Sequence, residues 1–184
     1  MIEIRWHGRG GQGAVTSVEM LALAAIEEGK YAQGFPSFGP ERRGAPVAAF
    51  NRVDDKQIKV RSGIYKPDVV VVLDPSLVAL VNVTEGLKEG GTLIVNTVLS
   101  PEDVRERTKF KGTIATVDAT HIAREELGVP ITNTTMLGAV IKAVNPVKVE
   151  SLNAPLKERF GRLAPRNMKA LKRAHDELNL STAA

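Results

Sequence analysis

The chain has 184 residues and no cysteine, and its 25 Lys and Arg against 21 Asp and Glu give a formal net charge of +4. The absence of cysteine excludes disulfides, thiolate catalysis and cysteine-held iron–sulfur clusters in this chain. A hydrophobic content of 43% is enough for a buried core. We expect a cytoplasmic protein, because no apolar run approaches the roughly 20 residues of a membrane span and the first residues do not have the pattern of a signal peptide.

The first predicted elements are a strand over residues 2–6 and a helix over residues 14–29, joined by a glycine-rich turn. A short strand is expected at 30–33. The segment 34–46 contains several Gly and Pro residues and is expected to form a long, ordered loop.

The next predicted element is a tight antiparallel hairpin, which would make the sheet mixed. Its strands are expected at 47–53 and 57–61, on either side of the turn 54–56. The sequence DVVVVLD, residues 68–74, follows it and is the clearest strand pattern. A continuous apolar run of this kind is typical of a strand buried on both faces of an α/β sheet.

Strands and helices then alternate regularly. Ser100-Pro101 is a typical helix start, with proline at the first helical position and two acidic residues behind it. The remaining predictions in this part are a helix over 76–87 ended by Gly90-Gly91, a strand over 92–97, a strand over 112–119 and a helix over 120–127 stopped by Gly128.

The C-terminal part is expected to be helical. Asn133-Thr134 is a candidate cap for a helix over 136–144, which Asn145-Pro146 would end. One terminal helix is expected over 166–178.

The alternation predicts an α/β fold, with three α/β/α layers around a mixed, mostly parallel, Rossmann-like sheet that includes one antiparallel hairpin. We expect residues 1–150 to form the α/β domain. Residues 151–184 are expected to be a helical extension of the same domain.

The turn WHGRGGQG contains Gly8, Gly10 and Gly13 in the spacing G-x-G-x-x-G, after a strand and before a helix, which is the context of a dinucleotide-binding loop. An NAD(P)-binding oxidoreductase is therefore one hypothesis. That motif also needs an Asp or Glu about 20 residues further on, to bind the ribose hydroxyls. Residues 29–34 contain no acid. A Walker A loop is excluded, because Ala14-Val15 stands where Lys-Ser/Thr is required.

The same turn also has a more general interpretation as an anion site. Gly10, Gly11 and Gly13 would present backbone amides at a helix N-terminus, and Arg9 would add a full positive charge. Gln12 would donate to a ligand or face solvent. The structural alternative is that the glycines only permit a tight turn and close packing of the helix on the sheet.

Two further stretches carry candidate binding residues. Arg42 and Arg43 lie in the stiff segment PSFGPERRGAPV, where they would bind a phosphate or carboxylate or, alternatively, pair with Glu41. Asn133 and Thr134 lie at a strand-to-helix junction, where ligands of α/β proteins commonly bind. Helix capping explains them equally well.

The C-terminal segment is rich in positive charge, with seven Lys and Arg between Lys157 and His175 and one acid, Glu158. A solvated helix face is the simple interpretation, and an acidic partner or phosphate binding are the alternatives. Binding of nucleic acid is not expected, because the aromatic content is 4% and no nucleic-acid motif is present. For His7, beside Trp6 at the end of the first strand, we expect a structural hydrogen bond rather than a proton relay.

Four stretches in the same order closely resemble the gamma subunits of the 2-oxoacid:ferredoxin oxidoreductases, especially pyruvate synthase. They are WHGRGGQG at 6–13, KYAQGFPSFGPERRGAPV at 30–47, PDVVVVLD at 67–74 and ITNTTMLGA at 131–139. The resemblance covers roughly residues 1–160 and implies a subunit that is inactive alone. The complex would convert a 2-oxoacid and coenzyme A to acyl-CoA and CO₂ and reduce ferredoxin.

The resemblance also implies how cofactors and partners are distributed. Thiamine diphosphate and the iron–sulfur clusters would reside in partner subunits of the alpha, beta and delta types, with no tightly bound cofactor, no nucleic acid and no membrane at this chain. No residue of this chain is expected to be catalytic. Coenzyme A would bind at its surface as a substrate. The residues expected to take part in binding are Gly8, Arg9, Gly10, Gly11, Gln12, Gly13, Arg42, Arg43, Asn133 and Thr134.

Overall fold

The computed structural model describes residues 1–37 and 43–182, which form seven strands in one sheet. The strands are β1 (Ile2–Arg9), β2 (Tyr31–Pro36), β3 (Pro46–Asp54), β4 (Val69–Val72), β5 (Thr92–Asn96), β6 (Thr113–Val117) and β7 (Asn179–Ser181). Their spatial order is β2-β3-β1-β4-β5-β6-β7. The central strands β1, β4, β5 and β6 are parallel, whereas β3 and β7 run antiparallel to their neighbours. The predicted α/β fold with a mixed sheet is confirmed.

Seven α-helices are found in the described part of the chain. They are α1 (Ala14–Glu27), α2 (Leu77–Leu80), α3 (Pro101–Thr108), α4 (Ala119–Leu127), α5 (Asn133–Val144), α6 (Asn153–Phe160) and α7 (Ala164–Asp176). No helix in residues 1–37 and 43–182 has the length and apolar content needed to cross a lipid bilayer.

The central strands are buried on both faces, and β4 shows why. Val69 and Val71 belong to the larger core, with residues of α1, α5 and α7. Val70 and Val72 belong to a smaller core on the opposite face, with Leu77 of α2 and Val104 of α3. Because side chains alternate along a strand, a run of valines feeds both cores and gives three layers.

The predicted hairpin was misplaced. Residues 57–61 form no strand, and β3 pairs instead with β1 on one side and with β2 on the other. The loop between these strands is shorter than the predicted 34–46, because β2 continues to Pro36 and β3 begins at Pro46. Side chains contact residues 57–61 and the two residues that follow them: Gln33 Nε2 donates to the Val60 carbonyl, and the Arg52 guanidinium donates to the carbonyls of Ser62 and Gly63.

Several helix predictions are corrected as well. α2 has a single turn, because Val81 is extended with φ −135° and ends it. α5 begins at Asn133 itself, and Thr132 takes the N-cap position, so Asn133 and Thr134 are not caps. The C-terminal segment contains two helices and a strand, because Gly161 adopts φ 52° and separates α6 from α7. The start of α3 is confirmed, since Ser100 and Asp103 form a reciprocal capping box.

Candidate functional site

The candidate site lies at the carboxyl end of β1, next to the carboxyl end of the neighbouring parallel strand β4. From β1 the chain crosses through α1 to β2 on one side, and from β4 it continues to β5 on the other. Such a point of divergence opens a crevice, which is where ligands of open α/β sheets bind. The glycine loop (residues 10–13) and Asp74, which follows β4, therefore meet at one edge of the sheet.

Arg9 and Asp74 are the centre of a polar cluster that also contains Gln12 and Ser76. The Arg9 Nε donates to Asp74 Oδ2 at 3.2 Å, and its Nη atoms donate to Ser76 Oγ at 2.8 Å and to the Gly44 carbonyl at 2.9 Å. The side-chain Nε2 of Gln12 donates to Asp74 Oδ2 at 2.8 Å, and the side-chain Oε1 of Gln12 accepts from the backbone N–H of Arg9 at 2.7 Å. Arg9 and Gln12 thus bind the protein itself, and they fix the loop between β1 and α1.

Asp74 remains ionised in this cluster. Burial alone would raise its pKa, but hydrogen bonds from Ser76 and Gln12 and the charge of Arg9 outweigh burial and lower the pKa. At neutral pH the Asp74 carboxylate is therefore charged and binds both Arg9 and Gln12. Asp74 is the last residue of the run DVVVVLD, two positions after β4 ends, and sequence analysis placed it in that run without assigning it to the site.

The amides of the glycine loop fall into two groups. The Gly10 N–H donates to the Ala45 carbonyl at 2.9 Å and the Gln12 N–H to the Arg9 carbonyl at 3.0 Å. For the amides of Gly11 and Gly13, no acceptor is found within residues 1–37 and 43–182. Both residues have positive φ, at 92° and 80°, and Gly13 directly precedes α1. Their backbone donors thus lie at the positive end of a helix dipole, where an anion is favoured.

Gly8 belongs to β1 rather than to the loop, opposite Val47 of β3. A Cβ at Gly8 would lie 3.3 Å from a methyl group of Leu73 and 3.6 Å from the Cβ of Ala14. A Cβ at Gly8 would thus crowd the Leu73 side chain, while its distance from α1 would be an ordinary van der Waals contact.

The start of α5 meets the start of α1. A Cβ at Gly13 would lie 2.5 Å from Asn133 Nδ2, so the Asn133 side chain lies directly against the loop. The Asn133 Oδ1 accepts from the Thr134 amide, and the Asn133 carbonyl accepts from Ser17 Oγ. Thr134 is fully buried, and its hydroxyl bonds Asn167 at 2.6 Å, so Thr134 supports the site from the core.

Two grooves flank the glycine loop, and Gly11 and Gly13 line both of them. The first, which we call the helix groove, has a volume of about 340 Å³. It also contains Asn133, the apolar residues Ile131 and Phe160, and two arginines from the C-terminal segment, Arg159 and Arg166. The second, the strand groove, has a volume of about 310 Å³ and is lined on its other side by Val15, Pro36 and Val47.

Arg159 and Arg166 were not predicted as site residues. In the sequence both arginines belong to the basic segment from Lys157 to His175, which does not by itself point to the glycine loop. Only the packing of α6 and α7 brings these two side chains to that loop. Arg173 of the same segment is used differently, because it forms ion pairs with Glu125, Glu126 and Glu177. These carboxylates raise the pKa of Arg173 and hold α7 on α4.

The two arginines predicted at the loop 34–46 have different outcomes. Arg43 is exposed, and its Cγ lies 4.0 Å from the position a Gly11 Cβ would occupy. It is thus close to the glycine loop. Arg42 lies outside the described residues, as does its alternative partner Glu41.

A larger cavity of about 630 Å³ lies elsewhere, between α2 and α3. It is lined mainly by apolar residues such as Val78, Val95 and Leu99, with Arg107 at its edge. None of its lining residues in the described part of the chain is a glycine or the first residue of a long helix. We therefore place the candidate site at the smaller grooves, where backbone donors and arginines converge.

His7 points from β1 toward the face that carries the smaller core. Its Nε2 is buried and has no hydrogen-bond partner in the described part of the chain, so the expected structural hydrogen bond is not found there. Burial, with a smaller contribution from the charge of Arg5, lowers the pKa of His7 to about 4. The ring is neutral at physiological pH.

The dinucleotide hypothesis is not favoured by the topology. In that site the second strand lies beside the first and brings its acidic residue to the ribose. Here β3 separates β2 from β1. The residues about 20 positions after the glycines are thus moved one strand away, in addition to lacking an acid.

Comparison with known proteins identifies the family. The family model described as pyruvate ferredoxin/flavodoxin oxidoreductase matches residues 3–177. The chain belongs to this family. It is 60% identical over 179 residues to the common subunit gamma of the pyruvate/ketoisovalerate oxidoreductases of Thermococcus kodakarensis, covering 96% of this chain and 97% of that protein.

Two solved structures have the same fold as this chain. Pyruvate oxidoreductase subunit PORC of Thermotoga maritima superposes with a TM-score of 0.87 at 44% identity, over 98% of both chains. A 2-oxoglutarate:ferredoxin oxidoreductase of Magnetococcus marinus, solved with 2-oxoglutarate, coenzyme A and succinyl-CoA, matches with a TM-score of 0.77 at 19% identity. The match covers 95% of this chain but 30% of that one, so the fold recurs there as part of a longer polypeptide. The relatives from Thermococcus kodakarensis and Thermotoga maritima are thus subunits of oxidoreductases that act on pyruvate or on pyruvate and ketoisovalerate.

Proposed function

We propose that this chain is the gamma subunit of a ferredoxin-dependent 2-oxoacid oxidoreductase and that it contributes the surface at which coenzyme A binds. The reaction of the complex would be pyruvate, coenzyme A and oxidised ferredoxin to acetyl-CoA, CO₂ and reduced ferredoxin. Partner subunits of the alpha, beta and delta types would hold thiamine diphosphate and the iron–sulfur clusters in a cytoplasmic complex. The chain alone would have no turnover.

The observation that carries the coenzyme A proposal is the pair of amides at Gly11 and Gly13. They have no partner among the described residues, and they lie between two grooves at the start of α1. A phosphate group needs donors of this kind, and the diphosphate and 3′-phosphate of coenzyme A also need positive charge. Arg159 and Arg166 supply that charge in the helix groove, and Arg43 lies close to Gly11.

The groups divide into those that would contact the ligand and those that hold the loop. Gly11, Gly13 and Asn133 line the helix groove together with its two arginines, and these residues would contact the ligand. Arg9, Gln12 and Asp74 bind one another and would keep the amides in place. Two apolar side chains of the helix groove, Ile131 and Phe160, would contact the less polar parts of the molecule.

The test is calorimetric titration of coenzyme A into the purified complex carrying Arg159→Ala or Arg166→Ala. A hydrogen bond to a charged group contributes about 1.5–3 kcal/mol, so each variant should raise the Kd about tenfold or more. Lys172→Ala is the matched control, because it removes the same charge from an exposed position of α7 outside the groove. Its affinity should equal that of the wild type.

The same preparations are assayed for pyruvate- and CoA-dependent reduction of viologen. The complex should turn over, with a raised KM for coenzyme A in the arginine variants, and the isolated chain should not. Unchanged affinity in both arginine variants would reject the coenzyme A site. Turnover by the isolated chain would reject the subunit assignment.

A further inference from the structure

The outer face of α1 is unusually apolar for the surface of the molecule. Val15, Leu23 and Ile26 are 41%, 46% and 56% exposed, and they lie on one side of the helix with Glu19 between them. We call these four residues the α1 stripe. An outer helix normally turns a charged face to solvent, and a helix that is apolar on all sides is normally covered on all sides.

α5 shows what such a sequence means in this protein. It is similarly rich in apolar residues, and every residue from Asn133 to Ile141 is buried. α3, by contrast, exposes Glu102, Asp103 and Glu106. α1 thus has the composition of a covered helix, but one face is open in the isolated chain.

The charge of the stripe indicates what covers it. Glu19 is the single charged residue within the stripe, and α1 contains no Lys or Arg. Among the described residues Glu19 forms no ion pair. A protein that covers this face therefore has to supply a positive charge opposite Glu19, since burying an unpaired carboxylate is costly.

A second copy of this chain that pairs through its own α1 stripe does not meet that requirement. If two α1 helices paired antiparallel about the middle of the stripe, the two Glu19 carboxylates would come within roughly 10 Å of each other on an apolar surface. Neither helix would bring a cation. Self-pairing would thus bury two like charges.

We propose that the α1 stripe is the contact surface for a different subunit of the oxidoreductase complex, which presents apolar side chains and one Lys or Arg opposite Glu19. The inference rests on the proposed function only in requiring a complex. Val15 belongs both to the stripe and to the strand groove, so the partner would also form one wall of that groove.

The experiment is co-expression of the tagged chain with the other subunits of its oxidoreductase, followed by affinity purification. Leu23→Glu and Glu19→Lys each place an unmatched or repelling charge in the contact. Each should lower recovery of the partner subunits about tenfold or more. Because both side chains are exposed, the melting temperature of each isolated variant should match that of the wild type.

Leu180→Glu is the matched control. Leu180 is also 46% exposed, but it lies on β7, at the opposite edge of the sheet from β2. This variant should assemble normally. Glu19→Gln, which removes the charge without reversing it, should retain more partner than Glu19→Lys.

The inference is overturned if the wild type assembles and both stripe variants assemble equally well, a result that leaves the proposed function intact. It is also overturned if Leu180→Glu loses the partners to the same extent, or if the isolated chain is a stable dimer that Leu23→Glu dissociates. If the wild-type chain recovers no oxidoreductase subunits, the proposed function fails together with this inference.

Discussion

At the scale of single residues, Gly13 combines two constraints that the glycine pattern alone does not distinguish. Its φ of 80° lies in the left-handed region, and Asn133 occupies the space where a side chain would project. The first constraint can be anticipated from a glycine before a helix. The second depends on a residue 120 positions away in the sequence, and only the fold reveals it.

The two constraints can be separated with a second glycine. Gly128 has φ 77° and nothing within 4 Å of its Cβ position, so Gly128→Ala should cost only the backbone term of about 1–2 kcal/mol. Gly13→Ala should cost about 1–3 kcal/mol more, because of the contact with Asn133. Urea unfolding of both variants measures the difference. Equal losses would show that Asn133 moves away freely.

His7 gives a residue-scale prediction about pH. Its pKa is lowered from 6.5 to about 4 by burial, so between these values the unfolded chain binds the proton and the native protein does not. The free energy of unfolding therefore has its full value, as far as His7 is concerned, above pH 6.5. It decreases as the pH falls from 6.5 toward 4, by at most about 3 kcal/mol. Urea midpoints measured across this range should fall in the wild type and fall less in His7→Leu. Parallel curves for the two proteins would contradict a neutral, buried ring.

At the scale of elements, the predictions were correct where the residues of one strand or helix are sufficient to specify it. The valine run of β4 and the capping box of α3 belong to this class. The predicted hairpin failed because β3 pairs with β1 and β2, while residues 57–61 form no ladder and contact the sheet through a hydrogen bond from Gln33 Nε2 to the Val60 carbonyl. The prediction of a long helix over 76–87 failed because nothing in that sequence indicates that the backbone becomes extended at Val81.

The packing of α5 on α7 depends on one glycine. A Cβ at Gly138 would lie 1.9 Å from the carbonyl oxygen of Leu171, so the two helices touch at this point. Alanine has the better helix propensity, by about 1 kcal/mol, but a clash with backbone cannot be relieved by a rotamer change. Steric overlap should therefore prevail.

Accordingly, Gly138→Ala should lower the free energy of unfolding by about 2 kcal/mol or more, the upper part of the range for overpacked cores. Lys142→Gly compared with Lys142→Ala, at an exposed position of the same helix, serves as the control for propensity alone, and the difference should be about 1 kcal/mol. Chemical denaturation measures both. A stabilised Gly138→Ala protein would mean that propensity outweighs the contact.

At the scale of the whole molecule, the sequence by itself determined the α/β class, the buried parallel strands and, through four stretches in order, the family. These properties follow from local patterns. The tertiary structure alone decided which charges meet the glycine loop. Arg9 was expected to bind an anion, but Asp74 and Ser76 engage it, while Arg159 and Arg166 reach the helix groove from the far end of the chain. The reason is that a side chain's role depends on its neighbours across the sheet and between helices. Periodicity fixes which face a residue occupies, but not which residue lies opposite it.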